Sequence, residues 1–183
     1  MKIYKVGGVI RDELLGFAPG ETDWVVIGSS PEEMFSHGFK KVGKDFPVFL
    51  HPETKEAYAL GRKEKKVGKK HGDFEFIFDK TISLEEDLQR RDLTINAIAQ
   101  NENGDLIDPF GGINDLKKKV LRHVSESFFE DSLRALRLAR FYSKFSDFQI
   151  HPSTKKILQK ISQSGELHYL SGERVWEETL KAL

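Results

Sequence analysis

Five short β-prone segments are confined to the first 78 residues of this chain, and everything after about residue 115 reads as helix. The β-prone segments are 2–6, "DWVVIG" (23–28), "FPVFLH" (46–51), "EAYALGR" (56–62) and "DFEFIF" (73–78), each closed off by Gly, Pro or charged clusters. Helical periodicity predicts helices over 9–15, 30–38, 83–99, 130–145, 152–163 and 172–183. In the second of these, Ser30 stands at the N-cap position with Glu33 placed to complete a capping box. Strands that precede and stand apart from a helical stretch imply an α/β (α+β) head followed by an all-helical piece.

A chain of 183 residues is long enough for a buried core. Hydrophobic residues at 38% and charged residues at 32% exclude a disordered chain, and no apolar run approaches the ~20 residues of a membrane span. The start "MKIYKVGG" is too short and polar for a secretory signal, and the absence of cysteine removes disulfides and thiolate metal sites. Both fit a cytoplasmic protein. Formal net charge is zero, so any surface for nucleic acid must be local. The basic stretch "GRKEKKVGKKHG" (61–72) is one such surface and reads as a mobile loop.

Four constellations carry residues suited to chemistry. In "KIYKVGGVIRDELLG", Gly7-Gly8 stands where a strand hands over to a helix, with Arg11 three residues on. That is either a plain tight turn or a place where a phosphate approaches the backbone beside a fixed positive charge. In "GETDWVVIG", Glu21 and Asp23 fall on one side of a strand mouth, either as solvated loop acids or as a pair sharing a hard cation such as Mg2+. Within 83–99, Arg91, Asp92 and Asn96 share a helix-compatible stretch that would salt-bridge to neighbours or face a cleft and bind a ribose or triphosphate. In "FEDSLRALRLARF", Asp131 and Arg134 are one turn apart, and Arg137 and Arg140 extend a guanidinium ridge. Such a ridge reads equally as a surface helix laced by ion pairs worth only ~0.2–0.5 kcal/mol each.

Taken together, "VGGVIRD", "ETDWVVIG", "RRDLTINAIA", "DPFGGINDL", "FEDSLRALRLARF" and "ERVWEE" stand in the order found in bacterial tRNA nucleotidyltransferases. The chain resembles a class II CCA-adding enzyme of the multifunctional CCA type, within the poly(A) polymerase family, from residue 1 to residue 183. The resemblance implies a nucleotidyltransferase head with a mixed β-sheet over 1–121 and, over 122–183, the start of a helical neck that selects the nucleotide, with body and tail domains absent. It implies template-independent addition of C, C and A to the tRNA 3′ end from CTP and ATP, with Glu21 and Asp23 holding two Mg2+ ions as the catalytic acids. Gly8, Arg11, Arg91, Arg137 and Arg140 would contact the nucleotide. A third carboxylate is expected at Glu56, with Glu64 behind it. Glu21 departs from the aspartate usual in the family, and its extra methylene moves the carboxylate.

Asp131 and Arg134 have a physical rationale as base selectors. Cytosine and adenine both present an amino donor beside a ring-nitrogen acceptor, which matches a carboxylate beside a guanidinium. Guanine and uracil would leave desolvated groups unpaired at ~1–3 kcal/mol each. The same fold also serves poly(A) polymerases and CC- or A-adding enzymes, and a nucleotide- or RNA-binding module without catalysis is the alternative of another class.

Overall fold

The computed structural model describes residues 1–18, 20–42, 48–66 and 74–183. Strand β1 (Lys2–Val6) leads through Gly7 into the seven-residue helix α1 (Gly8–Leu14), and β2 (Asp23–Ile27) returns antiparallel to β1 with Val6 opposite Asp23. Helix α2 (Pro31–Ser36) follows, then β3 (Lys40–Val42), β4 (Val48–Leu50) and β5 (Ala57–Leu60). Strands β6 (Lys63–Lys66) and β7 (Phe74–Ile77) precede helix α3 (Leu84–Gln89) and the short strands β8 (Ala99–Gln100) and β9 (Leu106–Ile107). The central sheet has the order β3-β4-β5-β2-β1-β8-β9, antiparallel throughout except for the parallel pairing of β2 with β5. It is the mixed sheet expected. Next come α4 (Gly112–Lys117), β10 (Val120–Leu121), α5 (Leu133–Lys144), β11 (Gln149–Ile150), α6 (Pro152–Ser164) and α7 (Gly172–Leu180).

Alternation along β2 and β5 divides the apolar residues between two faces. Val26, Phe49, Tyr58 and Leu60 pack with Met34 of α2 on one face, while Val6, Val25, Leu88, Ala97 and Ala99 pack on the other. A third and larger core takes Val9 and Ile10 from α1, Leu93, Ile95 and Ile98, and then Phe128, Leu138, Phe141, Phe145, Ile157 and Ile161. It runs across residue 121, so the α/β part and the helical part close over shared side chains. Burial of each such side chain is worth about 1.5–3 kcal/mol.

The structure corrects four expectations. The helix expected over 83–99 ends at Gln89. Ser83 and Glu86 form a full capping box at its start, but from Arg90 on the backbone finds better partners: Thr94 N–H donates to Arg122 O at 2.9 Å and Val124 N–H to Asp92 O at 3.2 Å. The β-branched Thr94 and Ile95 weaken helix locally, and Asp92 takes its neighbour's Leu93 N–H at 2.7 Å, so only one turn of 3-10 helix (Thr94–Asn96) remains. Second, the region after residue 115 is not all helix, because β10 and β11 form a two-stranded parallel ladder. Third, the basic stretch 61–72 is not a loop over residues 63–66: there β6 pairs antiparallel with β7, whose sequence FEFI favours a strand. Residues 67–72 of that stretch lie outside the described residues. Fourth, Ser30 caps α2, but Glu33 does not complete a box: its carboxylate takes Ser29 Oγ at 3.0 Å and pairs with Lys80.

Candidate functional site

Gly7 answers why two glycines stand at the end of β1. Its φ of 81° and ψ of −134° belong to a region that only glycine enters readily, and a Cβ there would lie 2.9 Å from Arg91 Nη1. Gly8 has ordinary backbone geometry, with its virtual Cβ 3.3 Å from Arg11 Nη2. The turn therefore brings backbone against two guanidinium groups. Gly7→Ala is expected to destabilise the chain by about 1–3 kcal/mol, read as a drop in melting temperature, and to displace Arg91 as well.

Those two arginines open a cavity of about 500 Å³ lined by Gly7, Gly8, Asp23, Asp92, Asn96, Asp131, Phe141 and the arginines at 11, 62, 90, 91, 134, 137, 140 and 174. Gly8, Arg11, Asp23, Arg91, Asp92, Asn96, Asp131, Arg134, Arg137 and Arg140, all expected site residues, thus meet in one place although they come from four separate stretches of sequence. A neutral chain has gathered a strongly cationic chamber.

Each arginine is held. Arg11, 6% exposed, makes a bidentate pair with Asp12 at 2.9 Å on both arms, donates to Asn96 Oδ1 at 2.6 Å, and lies over the ring of Phe141 at 5.0 Å. Arg91 donates to Asn96 O at 3.4 Å and reaches the fully buried Asp87 at 3.5 Å. Burial pulls Arg91 below the usual arginine range, against the charge of Asp87. Its buried Nε has no hydrogen-bond partner among the described residues. Asp87 answers two cations: burial alone would raise its pKa, but Arg90 and Arg91 hold it below the ordinary value.

Asp92 is the hub on the far wall. Its Oδ1 accepts from Asn96 Nδ2 at 2.9 Å and from Leu93 N–H, and its Oδ2 from Arg137 Nε at 2.8 Å. Burial would raise its pKa, but Arg137 and these hydrogen bonds hold it at about 2. Asp92 and Asn96 do stand together, but through a 3-10 turn rather than along an α-helix. Arg137 is raised in turn, first by Asp92. Arg140 lies 4.4 Å from the Phe141 ring centroid and donates to Glu178 at 2.7 Å.

The residues proposed to read the base have structural partners. Asp131 Oδ1 accepts the Leu133 N–H at 2.9 Å and Oδ2 accepts from Arg174 at 3.2 Å. Arg134 donates to Arg90 O at 2.6 Å and Ser127 O at 2.8 Å, tying α5 to the end of α3.

Asp23 stands at the opposite edge, at the mouth of β2. Partial burial raises its pKa, Arg91 opposes that, and the charge of Glu21 raises it further, so the two carboxylates feel each other. Two hard oxygen donors that repel one another fit a divalent cation that would relieve the repulsion. Glu21 is exposed and lies outside the cavity lining. Among the described residues no cluster of three or more His, Cys, Asp or Glu gathers. Glu56 does not join the pair: Ala57 is the residue beside Asp23, and Glu56, one step out of phase, accepts from Thr54 Oγ1 at 3.0 Å. Glu64 belongs to β6, in a sheet separate from that of Asp23. A smaller groove of about 150 Å³, lined by Val48, Ala57 and Ala59, meets the cationic cavity at Asp23, Arg90 and Arg91.

Arg62, Arg90 and Arg174 line the cavity without having been singled out in the sequence, and Glu178 backs it. Only the i,i+4 spacing of Arg174 and Glu178 in "ERVWEE" offered a signal, and its target lay on another helix.

A mixed sheet with Asp23 at a strand mouth, beside a chamber of guanidinium groups, defines an α/β protein with a cationic cavity at the edge of its sheet. Residues 3–122 match the family described as the poly A polymerase head domain, and the chain belongs to that family. It is 58% identical over 183 residues to a CCA-adding enzyme of Coxiella burnetii, covering 100% of this chain and 49% of the relative, so it spans about half the length of that protein. The crystal structure of the Bacillus stearothermophilus CCA-adding enzyme in complex with CTP aligns with a TM-score of 0.76 at 35% identity, over 98% of this chain and 44% of the other. The Thermotoga maritima CCA-adding enzyme complexed with tRNA_CCA aligns with a TM-score of 0.74 at 31% identity, over 100% of this chain and 43% of the other. Among the described residues no helix is long and apolar enough to cross a membrane.

Proposed function

We propose that this chain is the nucleotide-binding and catalytic part of a cytoplasmic tRNA nucleotidyltransferase that adds C, C and A to the tRNA 3′ end from CTP and ATP, releasing pyrophosphate. The observation that carries the reading is the meeting of Asp23 with Arg11, Arg91, Arg137 and Arg140 around one cavity of nucleotide size. In this reading residues 1–121 are the catalytic head and 122–183 the start of the neck. The names of its relatives support CCA addition in particular.

Attack of the 3′-hydroxyl on the α-phosphate demands little covalent chemistry from the protein, so positioning and charge do most of the work. Arg91, Arg11 and Gly8 hold the triphosphate from the head side, and Arg137 and Arg140 hold phosphate and sugar from α5. Attack in line with the leaving pyrophosphate would bring the hydroxyl to Asp23, where the groove of Val48, Ala57 and Ala59 opens beside Arg90 and Arg91. Glu21 and Asp23 would hold magnesium, which when bound supplies Lewis acidity to the hydroxyl and neutralises the leaving phosphates. Asp131 and Arg134 select C and A by accepting from the amino group and donating to the ring nitrogen.

Calorimetry of residues 1–183 with each nucleotide in magnesium tests the reading. CTP and ATP are expected to bind and UTP and GTP to bind more weakly. Equal binding of all four would remove base selection from Asp131 and Arg134, and no binding at all would remove the nucleotide site.

A further inference from the structure

Helix α7 buries a single residue, and that residue is a carboxylate: Glu178 is 5% exposed, while Trp176 on the same helix is 60% exposed. A helix docked for stability turns an apolar stripe inward. Burying a carboxylate instead carries a desolvation cost that ion pairing offsets only when the geometry is good, so a buried ion pair argues weakly for stability. What Glu178 does have is position. Its Oε2 accepts from Arg140 Nε at 2.7 Å and its Oε1 from Arg137 Nη1 at 3.5 Å.

One turn earlier, on the same face of α7, Arg174 donates to Asp131 Oδ2 at 3.2 Å. The polarity is crossed. The acid at the start of α5 meets the base of α7, and the bases further along α5 meet the acid of α7. From Arg137 the connections continue through Asp92 and Asn96 to Arg11, so a line of charged hydrogen bonds runs from α7 to α1 through the cavity wall.

We propose that Arg174 and Glu178 are positioning residues and that α7 is a brace setting the two halves of nucleotide recognition separately: Arg174 orients Asp131 for the base, and Glu178 orients Arg137 and Arg140 for phosphates and sugar. The inference rests on the nucleotide reading above. Its physical basis is rotamer freedom. An arginine side chain without a fixed partner samples several rotamers, and the ordering cost would then fall on the ligand. Glu178 meets that cost during folding for two arginines at once. Arg174 does the same for Asp131, together with the Leu133 N–H.

The test is calorimetry of the chain with CTP, ATP, UTP and GTP on wild type, Glu178→Ala, Glu178→Gln and Arg174→Ala, with thermal melts of each. Glu178→Ala is expected to weaken CTP and ATP by on the order of tenfold, the usual scale for losing the group that orients a ligating side chain, with the CTP-to-UTP preference kept. Glu178→Gln, which retains an acceptor oxygen for Arg140, is expected to recover most of that loss. Arg174→Ala is expected to keep CTP affinity within about twofold while cutting the CTP-to-UTP preference about fivefold, part of the mispairing penalty. If both alanine variants bind as wild type does, or if both lose affinity and preference together in step with melting temperature, α7 is only a structural helix and the brace is overturned. Failure of wild type to bind any nucleotide would remove the nucleotide reading and the brace with it, whereas wild-type binding without the split between variants removes the brace alone.

Discussion

Asp23→Ala is expected to reduce magnesium-dependent incorporation of CMP at a tRNA 3′ end by about 10³-fold or more, with the fold intact. Asp23 is the first residue of β2, and the strand's apolar anchor is Val25 and Val26, so removing the carboxylate leaves the sheet packed. What is lost is, among the described residues, the only acid that lines both the arginine chamber and the groove beside it. The raised pKa of Asp23 gives the comparison a sharper edge. A carboxyl that burial and Glu21 push upward gains from any cation placed on it, so magnesium should lower its apparent pKa and carry activity to lower pH. Glu21→Asp serves as the companion variant. It shortens the more exposed member of the pair and is expected to keep or improve turnover, whereas a large loss would mean that the site is tuned to the longer side chain. Normal turnover by Asp23→Ala in the full-length gene product would remove both acids from the chemistry.

Legibility in the sequence followed the range of the forces involved. The strands β1, β2, β4, β5 and β7 were readable because alternation and turn residues are local signals, and α2, α5, α6 and α7 were readable from their periodicity. The stretch after Gln89 is not legible locally because its conformation is decided elsewhere in the chain: Thr94 and Asp92 bond to the backbone of Arg122 and Val124, some thirty residues away in sequence and outside any local window. The ladder of β10 with β11 was invisible for the same reason, since two residues per strand carry no pattern. Within the site, Gly8, Arg11, Asp23, Arg91, Arg137 and Arg140 could be named from short motifs, but not how they are held. Nothing near Arg137 in sequence tells of Asp92 or Glu178. Arg174 and Glu178 stayed hidden because a charged pair at i,i+4 usually means a solvated helix face.

The buried hub at Asp92 makes the second large effect, one on stability that changes with pH. In the folded chain Asp92 titrates at about 2, against 3.8 for an ordinary aspartate. The fold therefore favours its charged form, and the resulting stability is fully present above about pH 4 and is lost as pH falls through about 2. The difference corresponds to about 2 kcal/mol. Asp92→Asn removes that charge and leaves Arg137 facing an amide, with Glu178 at 3.5 Å and the charge of Asp131 still acting on it. Breaking a buried pair from one side normally costs about 3–5 kcal/mol, but Arg137 keeps part of its side chain in water, so about 2–3 kcal/mol is the expected loss near neutral pH. In a chain of this size that is a fall of roughly 5–10 °C in melting temperature. The pH profile separates this cause from general damage. Wild type should lose stability between pH 4 and pH 2 more steeply than Asp92→Asn, and the two denaturation curves should converge toward the acid end. Parallel acid slopes would show that Asp92 is not the titrating group and that Arg137 is fixed by other contacts. Convergence, with nucleotide affinity falling in the same variant, would tie the charge of Asp92 to the seating of Arg137 in the cavity.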